Sequence, residues 1–126
     1  MSGNQKRAEA PRVVVVGPDA AGKTELVNRL RATGYNARSC AQDHSYVPDM
    51  WRRVARADFL IYLDARLETI ARRRKIDWGQ PRLDELNARL AHARSHCDLY
   101  LPTDDLDPSQ VADQVRAVLA TAGIIP

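Results

Sequence analysis

Val13-Val14-Val15-Val16-Gly17-Pro18-Asp19-Ala20-Ala21-Gly22-Lys23-Thr24 is the stretch that decides how this chain folds. Four consecutive β-branched residues lack the alternation of a half-exposed strand and describe a strand buried on both faces of a parallel sheet. Gly17 ends the run and permits a sharp exit. Gly22 has no Cβ to hold the backbone away from a ligand. From Lys23 onward Leu26, Val27 and Leu30 recur at helical spacing, and Gly34 supplies a stop. The reading is strand, glycine loop, helix. In such a turn successive N–H groups face inward, and the helix adds its unpaired first N–H groups and the positive end of its dipole. The loop therefore attracts polyanions before any side chain acts. Lys23 can then reach the β- and γ-phosphates of a nucleoside triphosphate, and the Thr24 hydroxyl can hold Mg²⁺.

On the N-terminal side, residues 1–10 show no apolar period and are expected to form a flexible tail, leaving residues 11–126 as a single domain. Toward the C-terminus the pattern alternates. Residues 36–41 are a weaker strand. Pro48 opens a short helix with Met50, Val54 and Ala57 on one face and Trp51 beside them. Phe59-Leu60-Ile61-Tyr62-Leu63 is a second strongly apolar strand ending at Asp64, and the next helix turns Leu67, Ile70 and Ala71 inward before the basic cluster Arg72-Arg73-Arg74-Lys75. Residues 76–81 read as a loop. Leu83, Leu86, Leu90, Ala93 and Cys97 form one helical stripe, residues 98–101 a last strand, and Asp107-Pro108 with Gln110 a capping box for a final helix closed by Gly123. Four strands alternating with helices, without hairpin signals, make an α/β fold: a three-layer parallel sheet of about four strands with helices on both faces.

Composition narrows the function classes. Among 126 residues, 19 cations stand against 16 acidic residues, and the acidic ones interrupt the basic ones, which argues against nucleic acid as a partner. Only Lys6, Lys23 and Lys75 are lysines, so Lys23 is conspicuous. No apolar run approaches the roughly 18 residues of a membrane span, and residues 1–11 lack the apolar stretch of a secretory signal, so a cytoplasmic protein without a membrane partner is expected. Cys40 and Cys97 have no metal or redox spacing and read as reduced core thiols.

Residues 17–24 fit G-x-x-x-x-G-K-[ST] without a mismatch, in the strand-before, helix-after context the pattern needs. In this the chain resembles the P-loop nucleoside triphosphatases, whose phosphate loop is the Walker A motif. The resemblance implies a nucleotide-contacting set of Gly17, Pro18, Asp19, Ala20, Ala21, Gly22, Lys23, Thr24 and Glu25, with Thr24 and an acidic residue on Mg²⁺. The guanine-reading Asn/Thr-Lys-x-Asp has as nearest match Lys75-Ile76-Asp77 after Arg74 at a helix end, so ATP is expected rather than GTP.

The C-terminal half resembles small-molecule and nucleotide kinases of the shikimate and adenylate kinase type. That resemblance implies that an arginine among Arg72, Arg73 and Arg74 contacts phosphates or the adenine face, and that residues 102–105 border the base. Arg74 continues the stripe of Leu67, Ile70 and Ala71 and is the one expected at the ligand edge; a solvated helix end is the alternative. The metal-supporting acid is Asp43 or Asp64, with Asp43 preferred, giving Lys23, Asp43 and Arg74 as the catalytic set. His44 either orients a water or an acceptor hydroxyl or is an ordinary loop histidine. His92 and His96 are expected on a solvated helix face, and Trp78 rather than Trp51 is the aromatic expected near a ligand.

Such kinases usually carry five strands and an acceptor-binding insertion, whereas only residues 35–58 lie between the first helix and the Phe59 strand. Two functions follow. One is a small ATP- and Mg²⁺-dependent phosphotransferase acting on a small-molecule acceptor. The other is a compact NTPase or nucleotide-dependent switch without an acceptor, in which residues 42–48 change order and a partner protein reads them.

Overall fold

The computed structural model describes residues 10–126, so the expected N-terminal tail falls, but for Ala10, outside the described residues. The strands are β1 (Arg12–Val16), β2 (Asn36–Ser39), β3 (Phe59–Asp64) and β4 (Leu99–Pro102). The helices are α1 (Lys23–Ala32), α2 (Met50–Arg53), α3 (Leu67–Arg73), α4 (Gln80–Arg89), α5 (Ala91–His96) and α6 (Pro108–Thr121), with a 3₁₀ turn at Gln42–His44. The strands make one all-parallel sheet in the order β2-β1-β3-β4.

The valine run explains the centre of this order. Val13 to Val16 are wholly buried between β2 and β3, in register with Phe59 to Tyr62. Alternate residues feed two cores. Val13, Val15, Ile61 and Leu63 pack under Leu26, Val27 and Leu30 of α1 and Val111, Val115 and Leu119 of α6. Val14, Val16, Leu60 and Tyr62 pack under Trp51 of α2 and Leu90 and Ala93 around α5. The chain steps from β1 to β2 in one direction and from β3 to β4 in the other. A right-handed crossover then puts the intervening helices on opposite faces. The reversal lies between β1 and β3, and the crevice outside their carboxyl ends is where an open parallel sheet has room for a ligand.

Local signals account for most boundaries. The Asp107 carboxylate accepts from the Gln110 amide at 2.8 Å, and Gln110 Oε1 accepts from the Asp107 amide at 2.9 Å, completing the capping box of α6. Pro102 closes β4 at the sheet edge, where its missing N–H costs no ladder bond. Gly34 and Gly123 take φ of 94° and 78° just beyond α1 and α6.

Three details differ from expectation. The single helical stripe from Leu83 to Cys97 is broken at Leu90 into α4 and α5, because Leu83 belongs to the α1/α6 core and Leu90 and Ala93 to the opposite one. One straight helix cannot serve both layers. In α2 the buried residue is Trp51; beyond its end Ala55 is buried, whereas Val54 is 64% exposed. A helix ending at Arg53 cannot carry a face through Ala57, and Trp51 is drawn inward by the bond its ring N–H donates to His92 Nδ1 at 3.1 Å. His92 is consequently half-buried and stacked on His96 at 4.2 Å, not solvated on an outer face.

Gly17 has φ of 153°, and a Cβ there would stand 2.1 Å from the Leu63 carbonyl oxygen. The first residue of the glycine loop is thus pressed against the central strand. Gly17→Ala is expected to lower unfolding stability by about 2 kcal/mol or more, read as a reduced urea midpoint at unchanged slope.

Candidate functional site

The loop over residues 17–22 leaves β1 at the sheet reversal and enters α1 with Gly22 as N-cap, at φ 108° and with no side-chain cap. The first amides of α1 therefore have no partner within their own helix. Ala20 takes φ of 59°, a left-handed conformation that costs a residue with a Cβ roughly 1 kcal/mol. Two distant side chains hold it there. Arg73 Nη1 donates to the Ala20 carbonyl at 2.9 Å, and the Thr103 hydroxyl donates to the Ala21 carbonyl at 2.8 Å. In a planar trans peptide the N–H is opposite the C=O, so Thr103 directs the Gly22 N–H away from itself.

Arg73 and Thr103 are themselves joined, through Arg73 Nη1 to Thr103 Oγ1 at 3.0 Å and through Nη2 to the Thr103 carbonyl. Together with Ala20, Ala21, Gly22, Glu25, Leu26, Leu106, Pro108 and Val111 they border a mainly apolar cavity of about 170 Å³ beside the loop. The segment 102–105, expected beside the ligand, thus reaches the loop through Thr103. Asp104 anchors this segment. Its Oδ1 accepts from the Thr69 hydroxyl at 2.6 Å and the Arg66 amide at 2.9 Å, so it caps the start of α3 across the fold. Burial alone would raise the Asp104 carboxyl, but the bonds from Thr69 and Arg66 outweigh it and hold the group below the ordinary carboxylate value.

On the other side of the loop lies a polar cleft bordered by Asp19, Ala20, Gly22, Lys23, Thr24, Glu25, Ser39, Cys40, Ala41, Asp43, His44 and Arg74. Lys23 Nζ donates to the Gly17 carbonyl and lies 3.4 Å from Asp43 Oδ2. The Asp43 side chain is completely buried, and its Oδ1 has no hydrogen-bond partner among the described residues. A buried carboxylate with one cation on one oxygen is only partly compensated. Thr24, exposed on the first turn of α1, opens on the same cleft. The residues present fit a divalent cation: the Thr24 hydroxyl and the Asp43 carboxylate, one oxygen of which is orphaned, border the same cleft. Burial pushes the Cys40 thiol above its ordinary value, so at the cleft wall it is an unreactive thiol.

The structure separates residues that the sequence could not. Asp43 stands beside Lys23. Asp64 is engaged elsewhere, its Oδ1 accepting from the Ala65 amide at 2.9 Å and its Oδ2 from the Tyr100 hydroxyl. Burial and that bond push the Tyr100 phenol up to about 12. Arg74 borders the polar cleft, but not as part of an inward stripe: Ala71 is exposed, and Arg74 lies past the end of α3 with extended backbone (φ −146°, ψ 140°). The arginine that bonds to the loop is Arg73, one turn after buried Thr69 on the same helix face. That spacing was the available signal. Trp78 packs on the α1/α6 core rather than bordering the cleft, and Cys40 and Cys97 are both free thiols.

Fold and site together define an α/β protein with an all-parallel sheet and a glycine-flanked loop joining its central strand to a helix N-terminus. No helix among the described residues is long and apolar enough to cross a membrane. No family model matches the chain, and no curated protein is found to be similar to it.

Two outcomes are expected from the anchoring bonds. Thr103→Val, which keeps the shape and removes the hydroxyl, should lower stability by about 1–3 kcal/mol in urea titration, because the Ala21 carbonyl and Arg73 lose a buried partner. Asp104 has a lowered folded pKa, so its contribution is present above the unfolded value of about 4 and is lost as pH falls through the folded one. Urea midpoints should therefore drop for the parent on acidification from about pH 5 to 3, and Asp104→Asn should be weaker at neutral pH with a shallower acid decline.

Proposed function

We propose that this chain binds a magnesium nucleoside triphosphate at residues 17–25 and is a small P-loop phosphotransferase. The observation that carries the reading is Lys23 at the N-terminus of α1, 3.4 Å from a fully buried Asp43 carboxylate whose other oxygen has no partner. Before nucleotide binds, Lys23 is held on the Gly17 carbonyl and Asp43. Phosphate oxygens replace these acceptors, so the charge is positioned beforehand and little reorganisation follows. The Gly22 N–H and the first amides of α1 donate to the β-phosphate, and Lys23 bridges the β- and γ-phosphates. Thr24 and Asp43 would hold Mg²⁺, which would supply charge neutralisation at the transferring phosphoryl. Arg74, exposed at the cleft margin, is long enough to close over the γ-phosphate. The cavity between Arg73, Thr103, Leu106 and Val111 receives the base, adenine in preference to guanine.

A switch is the second reading, and Tyr46 favours it. The segment after Asp43 presents Tyr46 at 86% exposure and Val47 at 42%, side chains suited to a protein contact. Arg89 stacks over the Tyr46 ring at 4.3 Å, donates to its hydroxyl at 2.8 Å and reaches the Asp43 carbonyl at 3.5 Å, so a rearrangement at Asp43 would alter how Tyr46 is presented.

Thermal unfolding with ATP or GTP, each with Mg²⁺, tests binding. The parent should gain stability, most with ATP, and Lys23→Ala should lose the gain, equivalent to about 3 kcal/mol at ligand a hundredfold above Kd. Asp43→Asn should remove the part that depends on Mg²⁺. ADP release stimulated by a nucleoside, nucleotide or sugar acceptor supports the phosphotransferase; slow turnover indifferent to every acceptor supports the switch. A Lys23→Ala protein stabilised as much as the parent would rule out the binding mode.

A further inference from the structure

The polar cleft also brings a histidine and a second carboxylate to Asp43, the residue the proposed magnesium site uses. Asp19 comes from the phosphate loop, and Asp43 and His44 from the Gln42–His44 turn after β2. His44 Nε2 lies 3.5 Å from Asp19 Oδ1 and 3.4 Å from Asp43 Oδ2, and one ligand atom from each of the three falls within 4.8 Å of the others. At these separations neither contact is a good hydrogen bond, and one ring nitrogen cannot donate to two carboxylates at once. Yet Asp43 is completely buried, its Oδ1 is without a partner, and it borders the cleft into which Asp19 and His44 also open.

The two His44 separations and the mixed nitrogen and oxygen donors suit a transition metal. A tetrahedral centre with bonds of about 2.0–2.1 Å sets its ligands about 3.3–3.4 Å apart. Octahedral magnesium at about 2.1 Å sets adjacent ligands nearer 3.0 Å and takes oxygen donors. An imidazole nitrogen favours zinc, cobalt or nickel, and two carboxylates neutralise a dication. The Asp19 and His44 side chains are 28% and 50% exposed, which leaves an entry path for an ion from the cleft.

We propose that Asp19, Asp43 and His44 bind a divalent transition metal, zinc above all, that staples the phosphate loop to the Gln42–His44 turn. The site needs no nucleotide, so it stands or falls apart from the proposed triphosphate binding. Lys23 draws on the same Asp43 oxygen at 3.4 Å and competes with the metal.

The test is titration of the chelator-treated full chain with Co²⁺, followed by displacement with Zn²⁺. An intense visible absorption of four-coordinate cobalt is expected, removed by stoichiometric Zn²⁺ and unaffected by excess Mg²⁺. His44→Ala and Asp19→Asn should each weaken cobalt binding at least tenfold, a loss no smaller than that typical of removing a group behind the ligands. Both positions are partly exposed, and unchanged far-ultraviolet dichroism would show that the variants fold. His92→Ala should bind like the parent, which separates this site from the stacked His92–His96 pair. Lys23→Ala should bind metal at least as tightly as the parent even where it has lost triphosphate binding. Parent-like cobalt affinity in His44→Ala and Asp19→Asn, or only the faint spectrum of six-coordinate cobalt, would overturn the proposal.

Discussion

Gly17 lies so close to the Leu63 carbonyl that no side chain fits between them, and the rest of the site is built from that approach. It sets the height at which the chain leaves the central strand, and hence where the loop stands relative to the carboxyl ends of β1 and β3. The loop is then held from behind by Arg73 and Thr103, which come from segments 53 and 82 residues away from the carbonyls they grip. Asp104 ties the Thr103 segment to α3, so one chain of hydrogen bonds runs from the left-handed Ala20 to the start of a helix on the same layer. A strained turn persists only where fixed neighbours hold it.

The two sides of the loop differ in chemistry. Toward Arg73 and Thr103 the lining is largely apolar, suited to a flat organic group. Toward Asp43 it is charged, and the charge is not balanced within the protein: Lys23 meets one oxygen of a buried carboxylate and leaves the other bare. Burial makes that imbalance consequential, because an ion or phosphate arriving there meets groups already stripped of water. The proposed triphosphate and transition-metal sites both draw on the same unsatisfied position.

Elements whose signal is local were legible from the chain itself. The capping box at Asp107 and Gln110 needs only residues three apart, and the glycine stops at Gly34 and Gly123 need only a positive φ. The break at Leu90 was not legible, because residues 83–97 keep a helical period throughout and only the existence of two cores on opposite sides of the sheet forces the chain to change layers there. Arg74 was singled out by helical arithmetic that ceases to apply once α3 ends at Arg73.

By itself, then, the sequence determined the parallel α/β class, the strand-loop-helix at residues 12–32 and the conspicuous Lys23, since β-branched runs, helical spacing and glycine conformation act over a few residues. Tertiary structure alone decided that Asp43 rather than Asp64 stands beside Lys23, that Arg73 and Thr103 grip the loop, and that Asp19 meets His44. Those choices depend on strand order and on which way each connection crosses the sheet, and both are settled by packing among segments tens of residues apart.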